Sequence, residues 1–101
     1  MSDRGRGAQR ERAVRDWYSS RDWLAFRAPA SLGCADVIAL REGSRPKLIE
    51  VKSTKAGPYH GFGPADRARL RAAADIAGAD ALLAWWPSRG TLRFIPESEW
   101  P

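Results

Sequence analysis

The chain has 101 residues, of which 17 are lysine or arginine and 12 are aspartate or glutamate, so its formal net charge is +5. This length favours one small domain and excludes a multidomain protein. Hydrophobic residues make up 44% of the chain, which is enough for one core and excludes intrinsic disorder over most of its length. The basic excess favours a polyanionic partner such as nucleic acid, although surplus charge also keeps small domains in solution.

Cysteine usage and hydropathy indicate the compartment. The chain has one cysteine, Cys34, which cannot form an intrachain disulfide. No apolar stretch approaches the roughly 18 residues of a membrane span, and no segment has the layout of a signal peptide. We therefore expect a soluble, cytoplasmic protein without membrane contact, encoded either by a cell or by a virus.

The amino-terminal part of the chain changes character at Ala8. Residues 1–7 carry charged side chains between glycines and have nothing to pack, so we expect a flexible basic arm followed by a single domain over residues 8–101. From Ala8 onward, apolar residues recur at helical spacing while charged residues take the other positions. This pattern predicts an amphipathic helix that ends near Ser19 and Ser20.

Three strands are expected after the first helix. Residues 23–27 have the aromatic content of a strand, and residues 36–40 and 47–53 are separated by a short connection with Gly, Ser and Pro, which predicts a hairpin. Residues 54–64 contain three glycines and two prolines. They predict a long mobile loop of the kind that often carries function.

The second half of the chain predicts a helix and another hairpin. Residues 65–77 are rich in alanine and arginine and are followed by Gly78, a typical helix terminator, while residues 81–86 and 91–95 flank a turn. The order of helix, three strands, helix and two strands predicts an α/β fold with a mixed five-stranded sheet flanked by helices. Residues 81–86 are apolar throughout, so both faces of this strand need cover, either from the chain's own helices or from a second subunit.

The third predicted strand carries the residues that point to chemistry. Because side chains alternate along a strand, Glu50 and Lys52 share one face, and Asp36 opens the neighbouring strand. Two carboxylates can hold a hard divalent cation such as Mg²⁺, which neutralises charge on phosphate oxygens, while Lys52 can orient or help to deprotonate an attacking water. The same residues would also fit a solvated ion pair on a basic, non-catalytic DNA-binding module.

Two details favour the catalytic interpretation. All cationic residues of the chain are arginines except Lys47, Lys52 and Lys55. A lysine at position 52 therefore suggests that a small, titratable charge is needed there. Glu50 lies in an apolar strand, where a carboxylate is costly without a partner or a metal ion. His60 is the only histidine and has no Cys or His partner, so we expect no zinc site. The glycine-rich loop does not end in the Gly-Lys-Ser/Thr of a P-loop, so we expect no nucleotide cofactor.

The motifs resemble those of a known family. Asp36 followed by Glu50-x-Lys52 resembles the signature of the PD-(D/E)xK nuclease superfamily. A wider set of segments is similar to the archaeal-type Holliday junction resolvases over about residues 6–95: Arg6-Gly-Ala-Gln-Arg-Glu-Arg12, Phe26-Arg27, Ser31, Ile49-Glu-Val-Lys52, Thr54-Lys55 and Leu92-Arg-Phe-Ile95. The resemblance implies a restriction-endonuclease-like fold and an Mg²⁺-dependent endodeoxyribonuclease that cuts four-way DNA junctions, with Mn²⁺ as a substitute.

The resemblance also implies roles for individual residues. Asp36 and Glu50 would bind the metal ion, together with the main-chain carbonyl of Val51. Glu11 on the first helix would complete the catalytic site by binding the ion or positioning it through water. Lys52 would serve the nucleophile.

Contacts to DNA phosphates are expected from basic and hydroxyl side chains. By resemblance, Arg12, Arg27 and Ser31 match positions that hold phosphates near the cut. The sequence departs from the family pattern at Ala35, which replaces a proline, and in the connection 31–36, which is about one residue longer than usual. Further candidates on the arm, the loop and the second helix are Arg4, Arg6, Lys55, Arg67 and Arg71, although a solvated helix face explains the last two equally well.

A homodimer is the expected assembly. Paired cuts in a four-way junction need two sites related by a twofold axis, and one subunit of this size offers one site. Two alternatives stay open at the level of the sequence. One is another nuclease of the same superfamily, such as a nickase or a repair or restriction-like endonuclease, and the other is the non-catalytic DNA-binding module.

Overall fold

The structure is a computed structural model that describes residues 2–28, 34–88 and 90–101, with the backbone alone for residues 2–6. No helix in these ranges is long and apolar enough to cross a bilayer. The elements follow each other as α1 (Ser2–Ser19), β1 (Leu24–Arg27), β2 (Val37–Leu40), β3 (Lys47–Lys52), α2 (Pro64–Ala77), β4 (Asp80–Ser88) and β5 (Thr91–Pro96), with a 3₁₀ turn at Glu97–Glu99.

The strands form one mixed sheet in the order β1-β2-β3-β4-β5. Neighbouring strands are antiparallel except for β3 and β4, which run parallel. Parallel neighbours need a crossover connection, and α2 supplies it. The predicted five-stranded sheet flanked by helices is confirmed, and β3 lies at its centre.

Alternation along β3 divides the core into two layers. Ile49 belongs to the layer under α1 and packs with Val14 and Val37, all three without exposed surface. Leu48 belongs to the layer under α2 and packs with Leu70. Burying one such side chain stabilises the fold by about 1.5–3 kcal/mol, so the central strand contributes to both layers at once.

The apolar strand β4 is covered on both faces by its own chain. Leu83 lies in the layer under α2 and Ala84 in the layer under α1, and neither has exposed surface. The two helices therefore provide the cover that residues 81–86 need. A second subunit is not required for this purpose.

The first helix is longer than the sequence indicates. It begins at Ser2, so the expected start at Ala8 is wrong, and the backbone of residues 2–7, where we expected a flexible arm, is helical. Glycine in a helix interior costs only about 0.8–1.0 kcal/mol relative to alanine, and arginine is a good helix former, so a packed helix can extend through Gly5 and Gly7. The assignment of residues 8–101 to a single domain stays a prediction.

The loop between β3 and α2 is held to the rest of the fold near both of its ends. Trp85 of β4 donates its indole N–H to the Thr54 carbonyl at 2.8 Å. Arg67 of α2 donates to the Phe62 carbonyl at 2.7 Å, and the Phe62 ring is buried edge-on against Trp100. These contacts fix the loop where it leaves β3 and where it enters α2.

Two neighbouring tryptophans allow a matched test of this attachment. The Trp85 N–H bonds Thr54, whereas the Trp86 N–H is buried without an acceptor in the described part of the chain. We expect Trp85→Phe to lower the free energy of unfolding by about 1 kcal/mol more than Trp86→Phe, because only the first variant leaves a carbonyl without its donor. Chemical denaturation measures both values. Equal losses would contradict the role given to Trp85.

Candidate active site

A pocket of about 500 Å³ opens where three strand ends meet. β1 ends at Arg27, β2 begins directly after Asp36 and β3 ends at Lys52, and antiparallel pairing brings these ends to one edge of the sheet. Residues of α1 and α2 also line the pocket. Its charged lining residues are Glu11, Arg27, Asp36, Glu50, Lys52, Asp66 and Arg69.

Asp36 is fixed to β3 by its backbone and by its side chain. Its N–H donates to the Ile49 carbonyl at 2.9 Å, which extends the pairing of β2 and β3 by one residue. Its Oδ2 accepts the Val51 N–H at 2.8 Å. The second carboxylate oxygen has no hydrogen bond within the described residues, so it is left for another ligand.

Glu50 and Lys52 share a face of β3, as the alternation predicts. Lys52 Nζ lies 3.2 Å from Glu50 Oε2. Burial raises the pKa of Glu50 to about 7, the Asp36 charge adds to this shift, and Lys52 opposes it. Burial also raises the pKa of Asp36, while the hydrogen bond from Val51 opposes that shift. The pocket therefore disfavours two ionised carboxylates unless a further cation compensates them.

Glu11 of α1 reaches the same pocket but is paired with an arginine. Nε and Nη2 of Arg27 both lie 3.0 Å from Glu11 Oε1. Within residues 2–28, 34–88 and 90–101, no group of three or more acidic, histidine or cysteine side chains is placed to hold one ion. The contact of Glu11 with a metal ion, direct or through water, stays a prediction.

The chemistry of the pocket fits a hard divalent cation at Asp36 and Glu50. Carboxylate oxygens are the ligands that Mg²⁺ and Mn²⁺ prefer, and water completes their coordination. Burial disfavours the ionised form of each carboxylate, as the raised pKa values of Asp36 and Glu50 show. A dication beside them would restore the ionised forms.

Two predicted phosphate contacts on α2, Arg67 and Arg71, do not line the pocket. Arg67 is only 8% exposed and its guanidinium donates to the Phe62 carbonyl, so this group holds the loop, and its contact with DNA stays a prediction. Arg71 Nε lies 3.6 Å from Glu97 Oε2, and the Arg71 guanidinium carbon lies 5.2 Å from the centroid of the Trp100 ring. It does not line the pocket, and its contact with DNA stays a prediction.

The other predicted DNA contacts lie near the pocket or outside the described residues. Arg27 lines the pocket, and Arg12 and Lys55 are exposed. Ser31 and most of the long connection before Asp36 lie outside the described residues. The side chains of two further candidates lie outside them as well, namely those of Arg4 and Arg6.

Helix α2 supplies two pocket residues that the sequence analysis does not single out. Asp66 and Arg69 both line the pocket, with Arg69 Nη1 3.2 Å from Asp66 Oδ1. Helical phase explains the difference from Arg67. Arg67 precedes Leu70 and Ala74 by three and seven residues and is buried with them, whereas Asp66 and Arg69, three residues apart, lie on a neighbouring face that is partly exposed.

The chain is similar to a protein family and to a solved structure. The family model described as archaeal Holliday junction resolvase (Hjc) matches residues 2–99. The structure of Archaeoglobus fulgidus Hjc, a Holliday junction resolvase from an archaeal hyperthermophile, is 27% identical and superposes with a TM-score of 0.76, covering 92% of this chain and 74% of that chain. No curated protein matches the chain.

The raised pKa of Glu50 predicts how the metal-free fold responds to pH. In the unfolded chain this carboxyl ionises near its ordinary value of 4.5, and in the folded chain near 7. Between these values the folded state keeps a proton that the unfolded state has released, so the free energy of unfolding falls as pH rises through this window.

Glu50→Gln should remove this dependence and stabilise the metal-free protein above pH 7 by on the order of 1–3 kcal/mol. Denaturant unfolding with a chelator, at about pH 5 and about pH 8, measures the effect for both proteins. The interpretation is wrong if the variant loses as much stability between the two pH values as the wild type does.

Proposed function

Since the chain belongs to the archaeal Holliday junction resolvase family, we propose that the pocket of Asp36, Glu50 and Lys52 is where it cuts the DNA backbone. The chain is an endonuclease that resolves four-way DNA junctions. One observation carries the assignment of the site: the Val51 N–H holds Asp36 beside Glu50, and the Lys52 ammonium lies 3.2 Å from Glu50. Paired carboxylates with an adjacent ammonium suit metal-assisted hydrolysis of a phosphodiester.

We assign metal binding to Asp36 and Glu50, with the Val51 carbonyl as a further ligand. Mg²⁺ is the proposed ion, and Mn²⁺ would replace it because both take oxygen ligands. When bound, the ion would supply Lewis-acid polarisation of the phosphate and a lowered pKa for an attacking water. The unbonded oxygen of Asp36 and the partly buried Glu50 carboxylate support this assignment.

Lys52 and Arg27 would supply the protein's own positive charge to the reacting phosphate. Lys52 would orient the attacking water or help to remove its proton. Arg27 would hold a phosphate oxygen, because its guanidinium has donors beyond the two directed at Glu11. Glu11 would then position Arg27 in addition to any contact with the ion.

Basic residues around the pocket would hold the DNA further from the cut. Arg12 and Lys55 are exposed and close in sequence to pocket residues, so they are the proposed phosphate contacts of α1 and of the loop. Contacts of this kind fix the position of DNA and carry little sequence information. Because the substrate is DNA, we propose that the enzyme acts in the cytoplasm. Arg4, Arg6, Ser31 and Arg71 remain further candidates.

We propose that the enzyme acts as a homodimer. Resolution of a junction needs two cuts related by a twofold axis, which a twofold dimer provides. An uncovered apolar surface supports this assembly. Leu24, 67% exposed, and Leu40, 36% exposed, pair across β1 and β2 on the face that α2 leaves open. Ile76, 89% exposed, follows Arg69 by two helical turns and faces the same side.

Substitution of the carboxylates should separate DNA binding from cutting. We expect Asp36→Asn and Glu50→Gln to bind a four-way junction as the wild type does and to cut it at least about a hundredfold more slowly, because each removes a ligand of the ion. Single-turnover cleavage of a labelled junction with Mg²⁺, Mn²⁺ or a chelator measures the rates. Linear duplex and flap DNA measured in parallel should be cut much more slowly.

Glu42→Gln is the matched control for these variants. Glu42 is exposed in the connection between β2 and β3, at the end of the sheet away from the pocket, so its substitution should leave the rate unchanged. The assignment fails if the wild type cuts the junction while Asp36→Asn and Glu50→Gln retain its rate.

The apolar surface can be tested by the mass of the protein in solution. We expect wild-type protein to sediment as a dimer and Leu24→Gln combined with Ile76→Gln to shift it toward the monomer, because both side chains are exposed in the single chain. The variant should also give single nicks in place of paired cuts. A wild type that stays monomeric even on junction DNA would overturn the homodimer.

A further inference from the structure

A second pocket, of about 530 Å³, lies where α1, the loop after β3 and the end of β4 meet. We call it the basic cleft and define it by Arg10, Ser53, Thr54, Lys55, Trp86 and Ser88. It contains two cations, three hydroxyls and an aromatic wall, and no carboxylate is among its described lining residues. The catalytic pocket, by contrast, is lined by Glu11, Asp36, Glu50 and Asp66. The charges and donors of the basic cleft suit a phosphate group.

The guanidinium of Arg10 lies over an aromatic ring. Its guanidinium carbon lies 4.3 Å from the centroid of the Trp86 ring. Trp86 in turn packs against the core layer under α1. Contact with an aromatic ring does not use the hydrogen-bond donors of a guanidinium, so its N–H groups stay free to bond an anion. In the described part of the chain no carboxylate pairs with Arg10.

Lys55 extends from a turn that is itself fixed. The Thr54 carbonyl accepts the Trp85 indole N–H at 2.8 Å, and the Thr54 hydroxyl accepts the Ala56 N–H at 3.0 Å. These two bonds hold the backbone on either side of Lys55. The second cation of the cleft is therefore carried by ordered backbone.

The basic cleft and the catalytic pocket are neighbours along two elements. Arg10 precedes Glu11 on α1, and Ser53 follows Lys52 at the end of β3. Lys55 is three residues beyond Lys52, so their Cα atoms are at most about 11 Å apart. β3 and β4 run parallel and end at the same edge of the sheet, which places both pockets at that edge. Glu50 and Lys52 lie on the α2 side of the sheet and Trp86 packs on the α1 side, so the two pockets lie on either side of this edge.

We propose that the basic cleft binds a phosphodiester group of the junction close to the one that is cut, with Arg10 as its first ligand and Lys55 as its second. The proposal rests on the proposed function, because the catalytic pocket determines which part of the DNA passes the cleft. The cleft holds DNA and takes no part in the chemical step. Trp86 acts by positioning Arg10.

Binding without cutting tests the proposal directly. Affinity for a four-way junction is measured in chelator at several salt concentrations, for the wild type, Arg10→Gln and Lys55→Gln. We expect each substitution to weaken binding about five- to tenfold and to lower the slope of log affinity against log salt by about 0.9, the value for one lost phosphate contact.

Arg41→Gln is the matched control. Arg41 also stacks on a tryptophan, with its guanidinium carbon 4.1 Å from the centroid of the Trp23 ring, but it follows β2 at the opposite end of the sheet. The control removes the same charge and the same type of stacking. Its affinity should stay within about twofold of the wild type, and its salt slope should not change.

Neutral methylphosphonate groups placed one at a time in the junction identify the phosphate. At one position next to the cut, the modification should weaken the wild type about as much as Arg10→Gln does and should have no further effect on that variant. No such position, or losses in Arg10→Gln that match those in Arg41→Gln, would overturn the proposal.

These outcomes are independent of cleavage. If the wild type cuts no junction and Arg10 still couples to one phosphate, the proposed catalytic site fails and the basic cleft stands. If cutting depends on Asp36 and Glu50 while Arg10→Gln binds as the wild type does, the catalytic site stands and the basic cleft fails.

Discussion

The hydrogen bond from the Val51 N–H to the Asp36 carboxylate joins the fold to its chemistry. It holds an acidic side chain at the edge of a sheet whose central strand also carries Glu50 and Lys52. Burial works against this arrangement, because it disfavours the ionised form of both carboxylates. The strand pairing that fixes Asp36 must therefore be stable enough to hold two acids together. The two core layers on either side of β3 provide that stability.

Local periodicity explains which parts of the molecule the sequence predicts. The shared face of Glu50 and Lys52 follows from alternation, and the sheet class follows from the order of helices and strands. The start of α1 does not follow from periodicity. A segment with two glycines is compatible with either a flexible arm or a helix, and the packing of the neighbouring helical turns decides between them. The burial of Arg67 and the pocket positions of Asp66 and Arg69 depend on how α2 is rotated against the sheet. Charge patterns alone do not contain that information.

The net charge of the chain conceals several uses of arginine. Arg27 and Arg69 are paired with carboxylates, so they orient neighbouring side chains more than they add to the local net charge. Arg67 is buried and bonds the backbone. Others lie over tryptophan rings, as Arg10 does on Trp86 and Arg21 on Trp17. A basic protein of this size therefore has fewer cations free for DNA than its composition suggests, and their positions matter more than their number.

The packing of α1 against the sheet has a consequence for where the DNA is cut. Val14, which has no exposed surface, lies one turn beyond Arg10 and Glu11 and anchors them to the layer that contains Ile49. A rotation of α1 about its axis would move Arg10 and Glu11 together relative to the two pockets. Arg10, proposed to hold one phosphate, and Glu11, beside the cleaved phosphate, thus lie on one rigid helix. Packing at Val14 therefore sets the position of both residues relative to the sheet.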